Sequence, residues 1–173
     1  MSNGHNESIL RAEAEQILNL AAQHGVVYIR WASHAQHDMQ PGARSRCAIS
    51  GDTHAGLSAV PVEADMSVSQ VAARLAEYSF SRIDKPTARP RIYRAEQVGV
   101  DSDGYASIRP VETLREPADE IIEAIDTGAA RAIELRESIA ADERRLARVT
   151  DQFAREIIEA AIARNRAKLC GAS

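Results

Sequence analysis

The segment from Ala129 to Leu169 contains neither glycine nor proline. These are the two residues that most often end a helix, so their absence predicts long helical structure. A single helix over this segment would extend about 60 Å at 1.5 Å per residue, which is longer than the core of a small domain. We therefore expect either a hairpin that folds back near residues 141–145, or a long helix that pairs with another subunit.

Residues 113–173 are accordingly predicted to form a C-terminal helical oligomerisation arm. Pro117 suits the first turn of its first helix, and Asp119 and Glu120 suit the positive end of the helix dipole. The expected partner of this arm is a second copy of the chain, in a homo-oligomer.

Residues 1–112 are predicted to form an α+β domain that begins with a helix. Asn6 is placed to cap this helix, which runs to about His24 and is followed by Gly25. The β-branched and aromatic segment 26–33 alternates along its length, which is typical of a half-buried strand. A short strand is expected at 47–49.

The second half of this domain is predicted to contain a strand, a helix and a hairpin. The strand covers residues 57–60 and ends at Pro61. Ser67 and Gln70 form a capping-box pattern before a helix over residues 68–78. After a loop at residues 81–90, strands at 91–100 and 105–109 flank a tight turn. The fold class is therefore α+β, a small and mostly antiparallel sheet with one or two packed helices, followed by a long C-terminal helix or helical hairpin.

Charge and aromatic content argue against a nucleic-acid partner. The chain carries 25 acids and 21 bases, for a net charge of -4, and only 4% of its residues are aromatic. Nucleic-acid binding needs surplus basic residues, and single strands need aromatic stacking surfaces. Residues 26–110 nevertheless carry ten bases and nine acids, so a small anionic ligand is expected in this part of the chain.

The sequence pattern predicts a cytoplasmic protein that does not enter a membrane. Cys47 and Cys170 are the two cysteines and lie far apart in sequence, which is typical of a reducing compartment. The first residues lack the basic and apolar pattern of a secretory signal. No apolar stretch approaches the ~20 residues that a membrane helix needs.

Histidine is the first candidate for site chemistry. His34, His37 and His54 lie in or near one polar loop region, and Cys47 lies between them. Such side chains suit zinc, but no paired-cysteine or HExxH spacing accompanies them. We therefore predict neither a metal nor a cofactor, and interpret the histidines as parts of a solvated loop.

Arginines on the predicted strands are the second candidate. If Arg30, Arg94 and Arg109 converge, they form a forked donor set for a phosphate or nucleotide. The alternative is that each arginine pairs with a nearby acid. The predicted ligand-binding residues are Arg30, Tyr28, Ser58, Arg94, Glu96 and Arg109.

Arg30, Ser58 and Glu96 fall on three successive predicted strands, and this order resembles that of ADP-ribosyltransferases. The resemblance implies that the arginine contacts dinucleotide phosphates, the serine lies in a nicotinamide pocket and the glutamate binds a ribose hydroxyl. It implies an enzyme acting on NAD, with these three residues as the catalytic set.

The strings Tyr28–Ser33 and Gly56–Ala59 also resemble an actinobacterial family that has no assigned activity. In that family a Tyr-Val-Arg-Tyr-Ser strand precedes a Gly-Leu-Ser-Val strand, a helix and a hairpin. The general layout is similar to that of small phage proteins that sequester nucleotide signals.

We predict a non-enzymatic cytosolic binding protein that captures a small nucleotide-like anion or a protein partner, such as a sequestering protein or inhibitor in phage or bacterial defence. Two alternatives stay open, the NAD-dependent transferase described above and a pure protein-interaction module.

Overall fold

The computed structural model describes residues 3–46, 51–77, 85–102 and 104–171, so the strand predicted at 47–49 lies outside the described residues. The described elements confirm an α+β fold with an antiparallel sheet and a helical C-terminal region. In chain order they are α1 (Asn3–His24), β1 (Val27–Ala32), α2 (Ala35–Asp38), β2 (Leu57–Val62), α3 (Val68–Ala76), β3 (Arg89–Val100), β4 (Ala106–Arg115), α4 (Asp119–Asp126), α5 (Ala129–Leu146) and α6 (Gln152–Gly171).

The four strands close into a ring in the order β1-β2-β4-β3, with every neighbouring pair antiparallel. Tyr28 of β1 lies opposite Pro61 of β2 on one side and Tyr93 of β3 on the other. The long β3–β4 ladder contains register shifts, and such bulges bend strands enough to let each contact two neighbours. Closure leaves no long unpaired edge along β1.

Several strand and helix boundaries differ from those predicted. β2 runs one residue past Pro61, and β3 begins at Arg89 and includes Pro90. Both prolines lie next to a strand end, where the ladder tolerates a missing N–H. β4 extends to Arg115, beyond the predicted residue 109. The predicted Asn6 cap is wrong, because α1 already begins at Asn3.

The capping box before α3 is confirmed. Ser67 Oγ accepts a hydrogen bond from the Gln70 backbone N–H, and the Gln70 side chain accepts one from the Ser67 backbone N–H. These two bonds satisfy donors that a helix N-terminus leaves without partners. They fix the start of the helix that packs against α1 and α5.

The main core lies between the sheet and helices α1, α3, α4 and α5. Alternation along β1 directs Val27, Ile29 and Trp31 to this side. The Trp31 indole N–H donates to the Leu75 carbonyl oxygen at 2.8 Å, which ties β1 to α3. A second core fills the interior of the closed sheet and contains Tyr28, Leu57, Ala59, Tyr93, Ala106 and Ile108.

The C-terminal region forms a helical hairpin, and the break between α5 and α6 lies at residues 147–151, later than the predicted 141–145. The Asp151 side chain accepts from the Ala154 backbone N–H at 2.8 Å, which is the N-cap contact that starts α6. Ile139, Ile158 and Ile162 form the hairpin's own small core. The first part of α5 instead packs into the main core. The start of the predicted C-terminal arm is therefore part of the core of the α+β domain.

No described helix combines the length and the apolar character that a membrane crossing requires.

An ion pair between a buried carboxylate and a partly exposed arginine joins α1 to β4. Both Glu13 oxygens accept from the Arg115 guanidinium, at 2.6 and 2.7 Å, and only 4% of the Glu13 side chain is exposed. A buried carboxylate without its partner is costly, because the interior solvates charge poorly. This pair therefore fixes how α1 lies on the sheet.

We expect Arg115→Ala to lower the free energy of unfolding by about 2–3 kcal/mol, because Glu13 stays buried without a partner. The matched control is Arg94→Ala, which breaks the exposed Arg94–Glu112 pair and should cost less than about 0.5 kcal/mol. Urea unfolding of the three proteins measures both values. Equal losses in the two variants would contradict this account.

Candidate functional site

The side chain of Arg30 lies near the end of β1 on the same face as Tyr28, toward the interior of the closed sheet. Its Nε donates to Asp38 Oδ1 at 3.1 Å. Its Nη1 donates to Ser45 Oγ at 3.3 Å and to the Ser58 carbonyl oxygen at 3.0 Å. Because three hydrogen bonds hold it, the guanidinium has a fixed orientation and joins β1 to β2 and to the loop between them.

Asp38 ends the short helix α2 and is 4% exposed. Its Oδ2 accepts from the Tyr93 hydroxyl at 3.0 Å, while Oδ1 accepts from Arg30. Each oxygen of this buried carboxylate therefore has a partner, as a buried charge requires. Burial, followed by the neighbouring Asp38 charge, raises the pKa of Tyr93 well above its usual value. Tyr93 consequently stays a neutral hydrogen-bond donor.

A second arginine lies beside Arg30 across the β1–β3 ladder, where Arg30 and Arg91 are directly opposite each other. Arg91 Nε donates to Glu116 Oε1 at 3.1 Å, and its Nη1 donates to the Ala32 carbonyl oxygen at 2.8 Å. Each of the two adjacent cations therefore has its own carboxylate. This lets the strands pair without net repulsion between them.

A cleft of about 410 Å³ opens beside Arg30, and we call it the β1 cleft. The rings of His34 and His37 lie in it with their centroids 5.3 Å apart. In the described part of the chain no ion pair involves Lys85, which also borders the cleft. The lining consists of Arg30, Trp31, Ala32, Ser33, His34, His37, Asp38, Lys85 and Ala88.

The charge balance of the β1 cleft is cationic. Arg30 and Lys85 contribute positive charge, and among the described lining residues Asp38 is the one carboxylate. Asp38 pairs with Arg30, so these two charges compensate each other, and the net positive charge of the described lining is that of Lys85. The cleft therefore offers a positive potential to a small anion.

A second cleft of about 390 Å³ is also bordered by Asp38 and contains Arg44 and Arg109. Gly56, the residue before β2, borders this cleft. A Cβ added to Gly56 would lie 2.5 Å from the Ile108 carbonyl oxygen of β4. Gly56 is thus required for the close approach of β2 to β4. The Nη1 of Arg109 donates to Glu96 at 3.1 Å, so a carboxylate already meets this cation.

Of the predicted ligand-binding residues, Arg30 and Ser58 contact each other, and Ser58 does so through its backbone. Tyr28 is buried near them and its hydroxyl donates to Gln97 at 3.4 Å. Burial is the main cause that raises the pKa of Tyr28. Both tyrosines therefore contribute neutral hydroxyl groups to the interior.

Arg94, Glu96 and Arg109 lie instead on exposed parts of the β3–β4 ladder. Arg94 pairs with Glu112, and Glu96 pairs with Arg109, each at 3.1 Å across the strands. The alternative that each arginine pairs with a nearby acid therefore describes all three arginines, since Arg30 pairs with Asp38. The Glu96 side chain is 63% exposed and lines neither cleft, so the three residues of the transferase-like order do not share one cleft.

The histidines do not form a ligand cluster. Among the described residues, no three His, Cys, Asp or Glu side chains come together as metal ligands would. His34 and His37 line the β1 cleft. His54 lies before β2, where its backbone N–H donates to the Ser45 carbonyl oxygen at 3.0 Å.

Asp38, Ser45, Tyr93 and Lys85 are the site residues that sequence reasoning missed. Asp38 and Ser45 belong to a loop that looks polar and solvated along the sequence. Tyr93 does give a signal, because it lies two residues from Arg91 and so shares its face of the strand. Lys85 gives none, since its position depends on how β3 meets β1.

A scan against protein-family models finds no match for this chain, and searches of curated proteins and of solved structures find none either. The resemblances noted above therefore stay predictions, and the site is interpreted from its own chemistry.

We expect Tyr93→Phe to lower the free energy of unfolding by about 1–3 kcal/mol, because it leaves Asp38 Oδ2 buried without a donor. The matched control is Tyr28→Phe, which removes only the 3.4 Å bond to Gln97 and should cost less. Thermal or urea unfolding near neutral pH measures the difference. A larger loss in Tyr28→Phe would contradict the assignment of Tyr93.

The raised pKa of Tyr93 also predicts how the free energy of unfolding depends on pH. Since the folded pKa is raised, this stabilisation is complete below the unfolded pKa of about 10 and is lost as the pH rises above it toward the folded pKa. Tyr93→Phe should therefore lose less stability between pH 9 and 11 than the unchanged protein does. Parallel slopes for the two proteins would show that Tyr93 is not buried against Asp38.

Proposed function

We propose that this protein is a non-enzymatic binding protein that captures a small phosphate-bearing ligand of nucleotide type in the β1 cleft. The observation that carries the proposal is the charge of the cleft, whose described lining has two cations, Arg30 and Lys85, and one carboxylate, Asp38, which pairs with Arg30. The positive charge of Lys85 is therefore left uncompensated among these residues. The volume of the cleft falls within the ordinary range of small-molecule sites.

Arg30 supports this role through its fixed geometry. Its hydrogen bonds use Nε and Nη1, and Nη2 has no partner within the described ranges. A guanidinium held in place loses little further freedom when it binds a phosphate oxygen. Lys85 adds a mobile point charge, while Trp31 and Ala88 provide apolar surface beside the charged groups.

A reducing cytosolic setting fits this proposal. Cys170 is free and exposed in the structure, and free thiols of this kind are typical of compartments that keep cysteines reduced.

The two lysines of the chain give a matched pair of variants. Lys85 borders the cleft, whereas Lys168 is an exposed residue of α6. We expect isothermal titration to detect ADP binding, with little heat from adenosine, because phosphate provides the charge that the cleft recognises. Lys85→Ala should weaken ADP binding about tenfold, and Lys168→Ala should leave it unchanged.

Raised salt provides a second readout of the same interaction, since screening should weaken ADP binding to the unchanged protein more than to Lys85→Ala. Failure of ADP, AMP and inorganic phosphate to bind at millimolar concentration would contradict the proposal. Equal binding by the Lys85 and Lys168 variants would place the ligand elsewhere.

The same samples separate this proposal from the NAD-dependent transferase. We expect NAD to stay intact after long incubation, and Glu96→Ala to bind ADP as the unchanged protein does, because Glu96 lies outside the cleft and pairs with Arg109. Release of nicotinamide that disappears in Glu96→Ala would favour the enzyme instead.

A further inference from the structure

An apolar stripe follows the exposed side of α6. Phe153 and Ile157 are 71% and 54% exposed, and Ala160 and Ala167 continue the same side toward the C-terminus. The spacing of four, three and seven residues keeps these side chains on one face of a helix. Large apolar side chains exposed one turn apart are unusual on a surface that meets only water.

The side of α6 that packs within the chain is a different one. Ile158 and Ile162 are buried against Ile139 of α5, and Leu169 extends the same contact. At 3.6 residues per turn, this face lies nearly opposite the stripe that begins at Phe153. α5 is the one described element with which α6 packs extensively, so the described part of the chain leaves the stripe uncovered.

Charge is distributed in opposite ways at the two ends of α6. The acids of this region are Asp151, Glu156 and Glu159, all near its start, where Arg155 pairs with Glu159. Its second half carries Arg164, Arg166 and Lys168 with no acid, and Arg166 pairs with Glu143 of α5. Within the described residues Arg164 and Lys168 form no ion pair. In the same part of the chain, the donor to Glu156 is the neutral amide of Gln152, at 2.9 Å.

These observations determine which partner fits. A parallel copy of α6 would place like charges side by side at Glu156 and at Arg164, whereas an antiparallel copy can place Glu156 near the partner subunit's Arg164. The antiparallel arrangement also opposes the two helix dipoles. One helix thus carries both halves of a self-complementary surface, as a twofold interface requires.

We propose that the protein forms a homodimer in which α6 packs antiparallel against α6 of a second copy, with the twofold axis near Ala160. This register places Phe153 opposite the partner subunit's Ala167, so that a large side chain meets a small one. It also places Glu156 opposite the partner subunit's Arg164. The interface does not use the β1 cleft, so it is independent of ligand binding.

Sedimentation velocity and light scattering test the dimer directly on the full chain. We expect the unchanged protein to be dimeric at micromolar concentration and Ile157→Asp to be monomeric, because a charge in the middle of the stripe cannot be solvated there. Val100→Asp is the control, since Val100 is 65% exposed on β3, far along the chain from α6. It should stay dimeric.

A charge exchange tests the antiparallel arrangement. Arg164→Glu and Glu156→Arg should each weaken the dimer several-fold, and the double variant should recover the original dissociation constant. A monomeric unchanged protein, or a dimer that survives Ile157→Asp, would overturn the proposal. A dimer that Arg164→Glu leaves unchanged would also overturn it, because parallel helices would only exchange one contact between like charges for another.

Discussion

The contact of Asp38 with Arg30 and Tyr93 is the interaction on which the interior of the closed sheet depends. It connects α2, β1 and β3, and the Ser45 and Ser58 contacts of Arg30 extend it to β2. A carboxylate that is 4% exposed is tolerated only when donors meet it, because the interior solvates charge poorly. The geometry of this small cluster therefore fixes where Ser45 and the start of β2 lie relative to β1.

The same contact links the fold to the proposed function. Because Asp38 pairs with Arg30 and holds its guanidinium in place, the described lining of the β1 cleft has a fixed hydrogen-bond donor in Arg30 and an uncompensated positive charge in Lys85. The other proposed contact surface, the stripe on α6, lies on a hairpin with its own small core. Ligand capture and subunit pairing can thus use separate parts of the molecule, and variants can be designed that change one without the other.

Local patterns predicted much of the fold. The Ser67 capping box and the alternation of β1 could be predicted from the sequence because the residues that form each pattern are close together in the chain. The closure of the sheet could not be predicted in this way, because it depends on strand pairs such as Tyr28 with Tyr93, which are far apart in sequence. Arg30 was recognised as a site residue for its strand position, but its partner Asp38 was hidden in a polar loop. The pairing of Glu96 with Arg109 likewise depends on the register of β3 and β4.

A double-mutant cycle of Arg30→Met and Asp38→Asn tests most directly whether these two charges depend on each other. We predict that each single change lowers the free energy of unfolding by about 3–5 kcal/mol, because each leaves a charge with no oppositely charged partner. The double variant should lose less than the sum of the two, with a coupling energy of about 1–3 kcal/mol. Additive losses would contradict the account, because they would mean that the Asp38 charge is not compensated by Arg30 inside the sheet.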